Sequence, residues 1–392
     1  MTDHLFTETL RAAVGDDLLT RRLSEEVVFA DLGAETVRPL LDFTALSDLL
    51  TTHTLEPPRL RLHSAGSPVP AERYTEPGTA SPAGRGTIRP EALYRELRDG
   101  ASLVLDSVDR LHPPVRAAAD DLMRMVRERA QANLYLIWGD SYGFDTHWDD
   151  HDTFVVQLAG TKSWQVHGQG DRRNPMKEDT DHRHGPPGGT VWEGTLRPGH
   201  VLHVPRGWWH TVSGTGDVSM HLTFGFTRTT GIDWVASVLE RLHEDEFLRA
   251  DIPRFSSAQE RHEHHRELLR RLTETAERHG IDGLLNERAA RFPRRQSFAL
   301  PWAVDGSEPE EHTVAEFVPV VCPPLERGGT SVALSVSGRR YRFPARVEPV
   351  LSELVEQRSL TAGELAERSG CSLDTTAEVL RVLVRNHLVL LR

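Results

Sequence analysis

The strongest constraint on this chain lies between Asn133 and Phe226, where short apolar runs are cut again and again by glycine, proline and aspartate. The runs are Asn133 to Trp138, Thr153 to Leu158, Ser163 to Val166, Val201 to Val204 and Ser219 to Phe226. None is long enough for a stable helix, and their β-branched and aromatic content suits strands. Six of the eight tryptophans, at 138, 148, 164, 192, 208 and 209, fall in this stretch. Many short strands joined by glycine turns predict a small antiparallel barrel or jelly roll.

The flanks read differently. Residues 1 to 50 carry helical apolar spacing (Leu10, Val14, Leu18, then Leu40, Leu41, Leu46, Leu49), and 51 to 92 are rich in turn formers. A strand at Ala101 to Asp106 and a helix from Val115 to about Ala130 lead into the barrel. Residues 231 to 295 are helical and strongly charged, 296 to 344 return to strands, and the last 48 residues predict two or three helices and a strand, Leu388 to Arg392. The expected class is α+β in three parts, 1–230, 231–295 and 296–392. At 392 residues, 38% hydrophobic and 27% charged, the chain is too long for one ordinary core and too mixed for disorder.

Acidic residues outnumber basic ones by 58 to 46, a formal charge of −12, so any polyanion contact needs a local patch. Only Cys322 and Cys371 are present, far apart, which supports neither a disulfide framework nor a thiolate zinc site and fits a reducing cytoplasm. The N-terminus lacks a basic stretch followed by an apolar core, and no run of about 18 apolar residues occurs, so neither secretion nor membrane spanning is expected.

The chemistry concentrates at His147-Trp-Asp149. In an extended chain residues two apart share a face, so both side chains can grip one ion. The spacing alone says little, because it recurs at His243-Glu-Asp245 on a predicted helix. Context adds weight: a Pro198-Gly199 turn, an apolar strand, the turn Pro205-Arg-Gly207 and then Trp208-Trp209-His210 bring His210 to the rim of the same barrel. Two histidines and one carboxylate match a site for non-haem Fe(II), with positions open for a cosubstrate and O2. A satisfied polar cluster, or a structural metal in a non-oxygenase cupin, is the competing reading. Of the 46 basic residues all but Lys162 and Lys177 are arginine, so a lysine beside this motif asks for a reason.

The set Asn133-Leu-Tyr135, His147-Trp-Asp149, Gln157-Leu-Ala-Gly160-Thr-Lys162-Ser-Trp164 and Val204-Pro-Arg-Gly-Trp-Trp-His210 resembles the JmjC group of Fe(II)- and 2-oxoglutarate-dependent oxygenases, and in it the bacterial ribosomal-oxygenase branch. The resemblance implies a double-stranded β-helix (jelly roll, cupin) core within 1–230, with His147, Asp149 and His210 as catalytic metal ligands. It gives Lys162 the far carboxylate of 2-oxoglutarate, a compact ammonium suiting a narrow barrel better than a guanidinium. Thr223 is implied as a second contact. Asn133 and Tyr135 match a substrate-holding pair in relatives that hydroxylate a ribosomal-protein histidine; Gly225 stands where those carry serine, so histidine is not fixed as the target. For Thr223, Asn133 and Tyr135 barrel packing is the other reading.

The implied reaction is oxidative decarboxylation of 2-oxoglutarate with O2 and hydroxylation of a protein or peptide side chain, in a ribosomal protein or a ribosomally made peptide. The resemblance also implies a homodimer through 231–295 and a winged-helix-like module in 296–392. Leu360 to His387 has a helix-turn-helix rhythm, but nine arginines against seven acids in 337–392 argue against strong DNA binding. Two readings from other classes stand beside the oxygenase: a metal- or small-acid-sensing regulator with a DNA-binding C-terminal module, and a cupin isomerase or lyase, which leaves Lys162 unexplained. His151, His200, His203 and His221 are expected to face elsewhere or bond internally, and the loop 179–187 reads as a substrate-facing lid or a plain surface loop.

Overall fold

In the computed structural model, which describes residues 5–15, 17–76, 87–140, 144–170, 173–176 and 188–392, the predicted barrel strands run together into longer ones. The lid reading at 179–187 lies outside the described residues. The chain divides into two compact units, 1–228 and 229–392.

The first unit's strands are β1 (Val28–Asp31), β2 (Leu60–Ser64), β3 (Ser67–Pro68), β4 (Thr75–Glu76), β5 (Thr87–Ile88), β6 (Ser102–Leu105), β7 (Ala130–Ile137), β8 (Asp152–Gln169), β9 (Trp192–Leu196), β10 (His200–Val204) and β11 (Trp208–Phe226). They form one nine-stranded sheet in the order β1-β10-β8-β11-β7-β6-β2-β3, with β9 on the free edge of β8 and a separate β4-β5 ribbon. The long antiparallel β8 and β11 pair along almost their whole length. Sequence had split β8 at Gly160. That residue has φ +59°, and a Cβ on it would lie 1.6 Å from the Val218 carbonyl oxygen. The glycine therefore makes a bulge opposite Ser219, where the register slips, and the strands bend without ending.

The bulge also fixes which side chains look inward. Before it, Val155 packs with Leu202 and Val204 of β10; after it, Trp164 and Val166 join the same cluster with Leu196. The opposite faces of β7 and β11 are covered by helices. Phe6, on helix Leu5–Val14, stacks on Phe224 at 5.7 Å. Helix Pro113–Val126 begins on proline, buries Val115, Ala118, Ala119, Leu122 and Met123 along one side, and ends at Arg127 in the left-handed region. Each such large apolar side chain, fully buried, contributes roughly 1.5–3 kcal/mol.

In the second unit the charged segment forms helices Gly231–Leu242, Ala258–Arg278 and Ile281–Arg291. Capping boxes at Thr230/Asp233 and Ser257/Glu260 start the first two. A separate core follows, in which helices Glu348–Gln357, Ala362–Ser369 and Leu373–Arg385 pack with a three-stranded sheet whose central strand is Val314–Phe317. The final strand, Val389–Leu391, pairs with that central strand. No helix among the described residues is long and apolar enough to cross a membrane.

Candidate metal centre

His147 lies on the loop between β7 and β8, and His210 near the start of β11. The two join through a pair of backbone hydrogen bonds, His147 N–H to His210 O at 3.2 Å and His210 N–H to His147 O at 2.8 Å. Asp149 is held from the other side, its carbonyl accepting the Gly207 N–H at 2.9 Å. Gly207 sits in the left-handed region where a Cβ would be 2.3 Å from Pro175, so the Pro205-Arg-Gly207 turn needs its glycine. Thr146 and His167 each meet the Thr211 hydroxyl at 2.8 Å, tying the loop to the hairpin.

The imidazoles are oriented as well as placed. Nδ1 of His147 lies 2.7 Å from the Asp145 carbonyl, and Nδ1 of His210 lies 3.0 Å from the Trp208 carbonyl. A carbonyl can only accept, so each Nδ1 carries the hydrogen and each Nε2 keeps a lone pair for an ion. Nε2 of His210 is 3.7 Å from Oδ2 of Asp149. One donor atom from each of His147, Asp149 and His210 falls within 4.8 Å of the others. Burial, with His147 alongside, holds His210 below the usual histidine range, which keeps it neutral and able to ligate. Two nitrogens and one carboxylate oxygen on one side of a divalent ion leave further positions free.

Lys162 alternates with Trp164 on the inward face of β8, and Trp164 stacks on His210 at 5.7 Å. The lysine is 6% exposed, has no ion pair among the described residues, and is pushed down to about 7 by burial. Thr223 lies opposite Asn133 on β7 and Val155 on β8, hence on the inward face. Tyr135 shares that face: it stacks on His221 at 4.9 Å, and burial and the charge of Asp149 raise its hydroxyl. Asn133 bonds Tyr135 and accepts the Ser107 N–H at 3.0 Å, so it also holds the preceding loop. All seven residues singled out in the sequence therefore border one barrel interior.

Of the four further histidines, His203 is buried against Asp152, which Arg228 also binds, and His200 lies edge-on to Phe29. His151 bonds Asp150, and its ring occupies the space over Gly225, where an added Cβ would be 2.7 Å away. His221 departs from expectation by facing inward; its two-residue spacing from Thr223 carried that signal. Sequence gave no sign of the brace behind His147. His63 packs on Phe144 at 4.4 Å, and Gly66, at φ +76°, lies so close to Asp145 that a Cβ would come within 2.6 Å of its carboxylate.

Residues 110–233 match the family described as the JmjC domain. The bifunctional lysine-specific demethylase and histidyl-hydroxylase NO66 of Brugia malayi is 29% identical over 170 residues, 41% of this chain and 23% of that protein. Ribosomal oxygenase 1 of Rattus norvegicus is 32% identical over 183 residues, 44% and 30% of the two chains. The matched region thus spans under a third of either relative. An X-ray structure of Escherichia coli ycfD superposes with TM-score 0.58 at 17% identity, covering 96% of this chain and 97% of that one. A structure of the same ribosomal oxygenase described as a complex with cobalt and 2-oxoglutarate gives 0.55 at 16% identity, covering 97% and 99%. Residues 110–233 thus match the JmjC domain, and the chain has a double-stranded β-helix core and the same overall fold as the E. coli ribosomal oxygenase structure.

Proposed function

We propose that this chain is an Fe(II)- and 2-oxoglutarate-dependent hydroxylase of a protein or peptide side chain. The observation that carries the reading is that an oriented His147, Asp149, His210 set and a lysine without an acidic partner face the same interior. A ferrous ion held there, with 2-oxoglutarate and O2, supplies the power to hydroxylate an unactivated C–H bond while the cosubstrate becomes succinate and carbon dioxide. The chain's own work is to bind and orient. His147, Asp149 and His210 hold the ion, Lys162 and Thr223 take the far carboxylate, and Asn133 and Tyr135 face the substrate. Trp164 and the apolar cluster behind it exclude water, which strengthens each of these contacts. The relatives' names favour a ribosomal protein as the substrate, with a ribosomally made peptide as the other candidate.

The test needs no substrate. Anaerobic addition of Fe(II) and 2-oxoglutarate to the purified protein is expected to give a visible metal-to-ligand charge-transfer band that is absent in His210→Ala. No band in the wild type, with iron bound, would overturn the reading.

Residues 231–295 are proposed as a homodimerisation region and 296–392 as a winged-helix-like module, in a cytoplasmic protein without nucleic-acid partners. Support for the dimer is the exposed apolar row Ile232, Val235 and Leu239 on one helix and the pair Ile281 and Leu285 on another. Light scattering at micromolar concentration should give twice the chain mass, and Val235→Glu with Leu239→Glu should halve it. A monomer in the wild type removes this part.

A further inference from the structure

We propose that His221 is a second donor to the cosubstrate's far carboxylate, paired with Lys162 across the barrel interior. This rests on the oxygenase reading above and extends it by a residue.

His221 is 3% exposed, and its Nδ1 is buried without a hydrogen-bond partner among the described residues. His147 and His210 give Nδ1 to carbonyls, and His203, whose own Nδ1 also lacks a partner, sets Nε2 against Asp152 at 3.3 Å; His221 has no such carboxylate beside it among the described residues. The ring is nonetheless fixed. It lies flat on Tyr135, 4.9 Å between centroids with planes 4° apart, and meets Trp164 edge-on at 6.0 Å. Trp164 is two residues from Lys162 on the same inward face of β8, and Thr223 is two residues from His221 on the inward face of β11. Burial first, and then the charge of Lys162, lower the basicity of His221.

A lysine ammonium and an imidazole N–H that face one dry interior are each costly there without an acceptor. One carboxylate satisfies both: the lysine ammonium takes one oxygen as a point charge, and the neutral imidazole donates N–H to the other. No bond is made or broken, and His221 holds the far end of the cosubstrate so that its other end meets the ion.

The experiment is isothermal titration of the Co(II)-loaded protein with 2-oxoglutarate and, separately, with 2-oxopentanoate, which lacks the far carboxylate. In His221→Leu, 2-oxoglutarate should bind roughly tenfold to a hundredfold more weakly, with 2-oxopentanoate and Co(II) itself binding as in the wild type. Equal 2-oxoglutarate affinity in variant and wild type overturns the proposal, as does an equal loss for both ligands. If the wild type itself gains nothing from the far carboxylate, the oxygenase reading fails first, and the two failures are distinguishable. Should His221→Leu not fold, nitrogen NMR of the Zn(II)-loaded wild type gives the same answer. The His221 ring signals must move with 2-oxoglutarate and stay with 2-oxopentanoate; no movement with either overturns the assignment.

Discussion

The barrel interior holds two polar regions built on opposite terms. Around His147, Asp149 and His210 each group is already oriented, both Nδ1 atoms by carbonyls and the Asp149 backbone by Gly207. Around Lys162 and His221, among the described residues, the lysine has no ion pair and the histidine's Nδ1 no hydrogen-bond partner, and burial works against the lysine's charge. The first region is preorganised and needs only an ion to complete it. The second carries a desolvation cost that a carboxylate would relieve, which makes it selective for an anion and a liability when empty.

The sharpest way to break that contrast is Lys162→Met. Affinity for 2-oxoglutarate, measured by titration, should fall about a hundredfold, yet the protein without cosubstrate should be stabilised by on the order of 3 kcal/mol. A thermal midpoint raised by roughly 5 °C would register it. The sign follows from linkage. Lys162 is lowered from 10.5 to about 7 in the folded chain, so between those values the unfolded chain binds more protons and stability rises with pH. The advantage of the methionine is therefore full at and below pH 7 and disappears towards pH 10.5. A variant less stable than wild type at pH 7 would mean that the lysine has a partner.

A smaller effect concerns the cosubstrate itself. If, as proposed, its far carboxylate pairs with protonated Lys162, which loses its proton near pH 7, affinity should fall about tenfold from pH 6 to pH 8. In Lys162→Met that slope should vanish. A wild-type affinity flat across this range would argue for a fully charged lysine and against the contrast drawn here.

The smallest effect tests the other region. In Gly66→Ala the new Cβ must push aside the Asp145 side chain, two residues before His147, and the residue must keep a positive φ. Co(II) affinity should drop a few-fold and stability by about 1 kcal/mol. The 2-oxoglutarate affinity of the metal-loaded protein should not change. Loss of cosubstrate binding along with the metal would show that the two regions are not separately built.

These regions were also unequally legible. His147, Asp149 and His210 could be found because the strand period puts residues two apart on one face, and because a turn followed by an apolar strand delivers a distant histidine to a predictable rim. Lys162 stood out by composition alone, in a chain that otherwise uses arginine almost throughout. The brace of His63, Phe144 and Gly66 behind the metal loop had no local signature, since it joins a hairpin near residue 65 to a loop some eighty residues later.

What the sequence by itself determined is the alternation of apolar runs and breakers, hence a barrel of short strands, and the donor set that one face of it could carry. What only the tertiary structure decided is phase. Whether Gly160 ends a strand or bulges within it sets which alternate residues beyond it point inward, and that depends on Ser219 and the Val218 carbonyl across the ladder. The inward phase of His221, and the lack of a partner for its Nδ1 among the described residues, depend on which strands lie beside it, which local spacing does not encode. A residue's neighbours in a sheet are set by pairing between distant segments, so the face it presents is a property of the whole barrel.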